Sequence, residues 1–186
     1  MSSEQQEKKT AEEHFKDGLA FSKLGDDRRT FESYKKAIEL DPTNQQLLYA
    51  RGIILDNQQA TLREEGKTDE ANAAYKRAES DYKSVVDLDP EGFDGNYSIG
   101  ALYYNRGAEM LNEANNILDD AKYKTAKLEA ETELKAALPF LEKAHALDPT
   151  DMQTMISLKV IYARANQMGK FDERKEKRKT KTLLIN

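Results

Sequence analysis

The chain has 186 residues, 38% of them hydrophobic and 34% charged, with 9 Gly, 4 Pro and no Cys. That length favours one domain or one continuous stack of repeats, and the low apolar share argues against a single thick globular core. Without Cys, neither disulfides nor thiolate metal sites can form, and the redox compartment stays open.

The net charge of −5 is unevenly spread. Between Lys170 and Lys181 seven basic residues face three acidic ones, a local +4 that leaves −9 for the rest. An acidic body does not seek nucleic acid, although the basic tail could touch an acidic surface. No window approaches the ~20 apolar residues needed to cross a bilayer. Met1–Thr10 is polar and lacks a signal-peptide core. The default compartment is therefore the cytoplasm, or the periplasm or another exported location if the sequence is a trimmed chain.

Residues 1–9 read as a disordered leader. Thr10 and Glu13 then form a capping box that opens a first helix, with Gly18 allowing close helix approach and Phe21 filling a gap one turn on. Gly25-Asp26-Asp27 is a turn, and a second helix buries Thr30, Tyr34, Ala37 and Leu40 before Asp41-Pro42 stops it. Leu40-Asp41-Pro42 returns as Leu88-Asp89-Pro90 and as Leu147-Asp148-Pro149, the mark of a repeat protein.

In the second unit Thr43 and Gln46 are the expected capping pair, Gly52 and Leu55 replay Gly18 and Phe21, and Ala78, Tyr82, Val85 and Leu88 replay the closing stripe. Gly66-Lys67-Thr68-Asp69 is its turn, and each helix is longer by ~two turns. The third unit is longer again. Its stripes, Ile99-Tyr103-Gly107-Met110-Ala114-Ile117 and Tyr123-Ala126-Ala130-Leu134-Ala137-Leu141, predict a projecting hairpin with its tip near Asn116–Asp120. Pro139 should kink or divide the returning helix. The last unit opens with Thr150 and Gln153 as a capping pair, runs through Met155, Leu158, Ile161 and Tyr162, and ends in a basic amphipathic capping helix with Phe171, Leu183, Leu184 and Ile185.

These units resemble the tetratricopeptide repeat, whose period is ~34 residues with small and aromatic residues at fixed offsets. Ala11–Asn44 matches at full length, departing at His14 and Thr30, and the elongated helices are similar to some bacterial members. The resemblance implies an all-α, right-handed solenoid of antiparallel helix pairs over residues 10–186, with repeats at about 11–44, 45–92, 93–150 and 151–186.

The family uses the concave face, lined by the first helix of each repeat, to hold peptides. On that face this sequence places Phe15 and Leu19, then Tyr49, Ile53 and Asn57, then Tyr97, Ala101, Tyr104 and Asn105, then Met155, Lys159 and Tyr162. Phe15, Tyr49 and Tyr97 occupy equivalent places, an aromatic row suited to large contact area at low entropy cost. The alternative is that the long helices close over this row and make it core. The carboxylate-gripping co-chaperones of the family need Lys, Arg and Asn there. Phe15, Leu19, Ala50, Asp94 and Ser98 stand in those places instead, so no such clamp is expected.

Catalytic chemistry is poorly supplied. His14 and His145 are the only histidines, and His145 is expected to face solvent. Glu12-Glu13, Asp26-Asp27 and Asp119-Asp120 sit at helix starts or turns, where capping explains them. Gly66-Lys67-Thr68 fails as a phosphate loop because Thr61 stands where the first Gly is required. Asn96-Tyr97-Ser98, with sequon spacing, falls within a helix. No cofactor or metal is expected, and no enzyme. The expected function is a protein–protein interaction scaffold for a peptide or helix. The second reading is a self-associating assembly element, a homo-oligomer built through the third hairpin.

Overall fold

In the computed structural model, residues 9–165 are described, and among them the chain is all helix. The expected disordered leader, save Lys9, and the basic capping helix lie outside the described residues. The helices are α1 (Ala11–Lys23), α2 (Asp27–Leu40), α3 (Gln45–Glu64), α4 (Thr68–Leu88), α5 (Phe93–Ala114) and α6 (Asp120–Leu147), followed by α7 over 152–165. The chain divides into two compact units, Met1–Gly95 and Asn96–Asn186.

In the first unit, α1 opens on the reciprocal capping box, with Thr10 Oγ1 accepting from Glu13 N–H at 3.2 Å and Glu13 Oε2 accepting from Thr10 N–H at 2.7 Å. Both within-repeat turns use a glycine at positive φ, Gly25 at 70° and Gly66 at 75°. Each ends its helix in a Schellman motif: Asp26 N–H reaches Phe21 O at 3.0 Å, and Lys67 N–H reaches Leu62 O at 2.8 Å. A side chain at either glycine would be strained by the backbone alone.

The recurring Asp-Pro stops have one geometry. Asp41 and Asp89 both sit at φ −138°, with ψ of 83° and 84°, and Asp148 is close at −132° and 92°. The following proline excludes the helical region, so each Asp turns outward while its N–H still caps the helix. The next helices start one residue later than expected. Asn44, not Thr43, accepts from Leu47 N–H, and Asp151, not Thr150, accepts from Thr154 N–H. Thr43 and Thr150 instead donate their hydroxyls back to Asp41 and Asp148, which pins the turn and leaves the better cap acceptors, Asn and Asp, for the helix.

The core of each pair rests on a glycine against a large side chain. A Cβ on Gly18 would collide with the ring of Tyr34, one on Gly52 would lie 2.6 Å from Tyr82 Cε1, and one on Gly100 2.8 Å from Leu141. Thr30, Ala37, Ala78 and Val85 are buried, but Leu40 and Leu88 are 57% and 47% exposed, contrary to expectation. Each is the last residue of its helix, while Ile38, outside the expected stripe, is buried in α2.

In the second unit α5 and α6 close on Ile99, Leu102, Tyr103, Ala130, Leu134, Ala137 and Leu141. On α5 burial continues to Leu111 and Ala114 near the tip, whereas no residue of α6 before Ala130 is buried and Leu118 in the connecting turn is fully exposed. The helix α6 runs undivided through Pro139, whose ring lies on an exposed position. Its missing N–H therefore costs one backbone bond without breaking the helix.

Candidate functional site

The aromatic positions of the first unit are halfway between core and surface. Phe15 lies with its ring centroid 5.6 Å from that of Tyr34, and Tyr49 lies 6.2 Å from Tyr82. Both pack on a cluster of Tyr34, Ala37, Ile38, Leu47, Leu48 and Val85, yet both remain partly exposed. Leu19 and Ile53, one turn further along the same helices, are 41% and 39% exposed. Exposed apolar side chains at repeating positions cost free energy in water that a partner can recover. Phe15 and Leu19 line a groove of ≈ 670 Å³ whose other wall holds Asp41, Asn44 and Gln46. Asn57 departs from this set and lines a different groove, beside Ile54 and Phe31.

In the second unit Tyr97 and Tyr104 are half-buried and Asn105 is exposed. Met155, Lys159 and Tyr162 come together in an open groove of ≈ 390 Å³ with Glu142, His145 and Leu158. Tyr162 donates its hydroxyl to Glu142 at 2.6 Å, and this bond pushes the phenol up from its ordinary value. His145 does not face solvent as expected. It is half-buried on the wall of this groove, with Nδ1 shielded and unpartnered.

A constellation that the sequence reading missed lies across α2, α3 and α4. Arg51 on α3 grips Asp81 on α4 with two parallel bonds, Nε to Oδ2 and Nη2 to Oδ1, both 2.7 Å. The Asp81 side chain is only 4% exposed and that of Arg51 22%. The fork geometry makes this a strong charge-assisted pair. It holds the Arg51 guanidinium above its ordinary pKa, with a smaller contribution from Glu39. Above it opens a pocket of ≈ 280 Å³ lined also by Phe31, Lys35, Leu55, Arg77 and Ser80. Arg51 and Asp81 stand equally far from Gly66, the turn of that helix pair, so antiparallel pairing about the turn was the available signal.

Among the described residues no group of three or more His, Cys, Asp or Glu is placed to hold a metal ion, and no helix is long and apolar enough to cross a membrane.

Comparison with known proteins agrees with this architecture. A family model described as tetratricopeptide repeat matches residues 33–71, from within α2 to the start of α4. The chain is similar to the first tetratricopeptide-repeat domain of Spaghetti (RPAP3), solved bound to the HSP90 peptide SRMEEVD. There the TM-score is 0.52 and the identity 18%, covering 84% of this chain and 96% of that one. It is also similar to a tetratricopeptide-repeat protein of Bacteroides fragilis NCTC 9343, with a TM-score of 0.50 and 22% identity over 83% of this chain and 67% of that one. No curated protein matches the sequence. At these identities the likeness shows the fold, an all-α tetratricopeptide-type helical repeat.

Proposed function

We propose that this tetratricopeptide-repeat chain is a non-catalytic interaction scaffold, holding an extended or helical peptide of a protein partner on the first helices of its repeats. The observation that carries the reading is the replay of Phe15 and Leu19 by Tyr49 and Ile53. In both pairs the ring is anchored in the core and the aliphatic neighbour lies bare. An aromatic fixed by packing on Tyr34 or Tyr82 loses little further entropy when a partner covers it. Tyr97, Tyr104 and Asn105, with Met155, Lys159 and Tyr162, are the corresponding surface of the second unit. Protein partners are what this fold serves, and neither a cofactor nor nucleic acid has a part in the reading.

A pull-down with the native chain beside a Tyr49→Ala/Tyr97→Ala variant tests it. Because Tyr49 also packs on Tyr82, a Leu19→Asp/Ile53→Asp variant, altered only at exposed positions, separates lost contact from lost fold. Both variants should release the partner while keeping native helicity by circular dichroism. Undiminished capture by the folded Leu19/Ile53 variant would remove the groove from consideration.

A second reading rests on the third hairpin, where Leu118 is fully exposed and Leu128 60% exposed. Apolar side chains so placed favour self-association of the tips. Light scattering over a range of concentrations decides it, since a monomer at every concentration ends that reading.

A further inference from the structure

We propose that the pocket above the Arg51–Asp81 pair is a second docking site, taking an acidic side chain of a partner peptide whose apolar neighbour rests on Phe31. The proposal is independent of the aromatic row, because its walls come from α2, α3 and α4 and include none of Phe15, Leu19, Tyr49 or Ile53.

The pocket is built around a fixed donor. Asp81 engages Nε and Nη2 of Arg51 and so sets the plane of the guanidinium, while Nη1 has no partner and is not among the buried unsatisfied atoms. A donor held in place by a buried carboxylate pays little entropy when a ligand arrives. Lys35 and Arg77 line the same space from the flanking helices, and neither has an ion-pair or hydrogen-bond partner among the described residues. Three cations thus face one lining carboxylate, Asp81, which Arg51 already engages; Glu39 acts on Arg51 from outside the lining. The remaining balance is positive and unpaired, which selects a carboxylate.

The same geometry selects a peptide over a free anion. The pocket continues, through the shared residues Phe31 and Arg77, into a wider groove of ≈ 510 Å³ floored by Ile54 and Leu62. Both are half-buried; Ile54 lies mid-helix and Leu62 in the last turn of α3, which has 20 residues against the 14 of α2. Asp27, Glu32 and Glu65 line this wider groove against Arg28 and the shared Arg77, a net negative balance opposite in sign to that of the pocket. The acid of the ligand is therefore directed to the Arg51 end, and its apolar neighbour to the Phe31–Ile54 stretch.

The test is a titration of the full chain with the peptide acetyl-Gly-Leu-Glu-Glu-Leu-Gly-amide, read by nuclear magnetic resonance at the Arg51 Nε–H and at the backbone amides of α2 to α4. The glutamate peptide should shift the Arg51 signal saturably, more weakly as salt rises. The matching Gln-Gln peptide should not. Lys35→Glu/Arg77→Glu, both at exposed positions, should weaken binding about tenfold or more, and Leu19→Asp, at an exposed position of α1 outside the pocket, should leave it unchanged. No shift at Arg51, or binding indifferent to the charge reversal, overturns the proposal. So does an equal, saturating shift with acetate or phosphate alone, which would make this a small-anion pocket. Loss on Leu19→Asp would place the peptide on the aromatic row instead.

Discussion

Asp56 is held where its charge is disfavoured. Burial on α3 raises its carboxyl above the ordinary value, and one long hydrogen bond from Gln59, at 3.3 Å, only partly offsets the loss of water. A folded-state pKa above the unfolded one contributes stability that is complete below the unfolded value of 3.8 and is lost as pH rises through the folded value. At neutral pH the native chain therefore carries this cost in full. Asp56→Asn keeps an acceptor for Gln59 and removes the charge, so its melting temperature at pH 7 should exceed the native one. The advantage should fade as pH approaches 4. Thermal melts at the two pH values check this, and a variant less stable at pH 7 would show that the carboxylate has a partner worth more than its burial costs.

At the level of the helix pair, the packing of α3 on α4 turns on the absence of one carbon. Tyr82 lies across Gly52 with its ring 2% exposed, so an added methyl has nowhere to push it. Gly52→Ala gains ~1 kcal/mol in helix propensity but incurs an overpacking cost that exceeds it, for a net loss of roughly 1–2 kcal/mol. Urea unfolding followed by circular dichroism measures the loss, and a variant as stable as the native chain would contradict the packing argument. The recurrence of Gly18, Gly52 and Gly100 at one register was legible in the sequence, whereas their seats against Tyr34, Tyr82 and Leu141, read there only as a closing stripe, came with the assembled pair. The Asp-Pro stops were legible for a local reason too, since proline acts on its neighbour whatever the tertiary context. The helix starts slipped by one residue at Asn44 and Asp151 because adjacent Thr, Asn and Asp all compete to cap, and only the turn geometry decides. Leu40 and His145 were misjudged because periodicity says which face a residue is on, not how fully that face is covered. The Arg51 pocket was hidden more deeply. Phe31, Arg51 and Arg77 come from three helices of unequal length, and only their assembled pairing brings them together.

At the scale of the whole molecule, and among the described residues, acid acts chiefly through the ends of helices. Glu13 and Asp26 in the first unit and Asp148 in the second are all held below their ordinary values, by hydrogen bonds from Thr10, from Arg29 and from Thr150 respectively. The sign is opposite to that of Asp56. A depressed folded pKa contributes stability present above the unfolded values of 4.5 for Glu and 3.8 for Asp, and it is lost as pH falls through the folded ones. The native chain should therefore lose stability below pH 4 in both units, since each carries such a cap. Asp26→Asn isolates one contribution. Asparagine caps as well as aspartate but does not titrate, so the acceptor that holds Arg29 N–H at 2.9 Å survives at any pH. At pH 7 the variant should be slightly less stable, having lost the favourable charge at a helix start and the ion pair with Arg29. By pH 2.5 the order should invert, with Asp26→Asn melting above the native chain. Parallel melting curves with no crossing would mean that protonated Asp26 caps α2 as well as its carboxylate does, and would shift the acid sensitivity to Glu13 and Asp148.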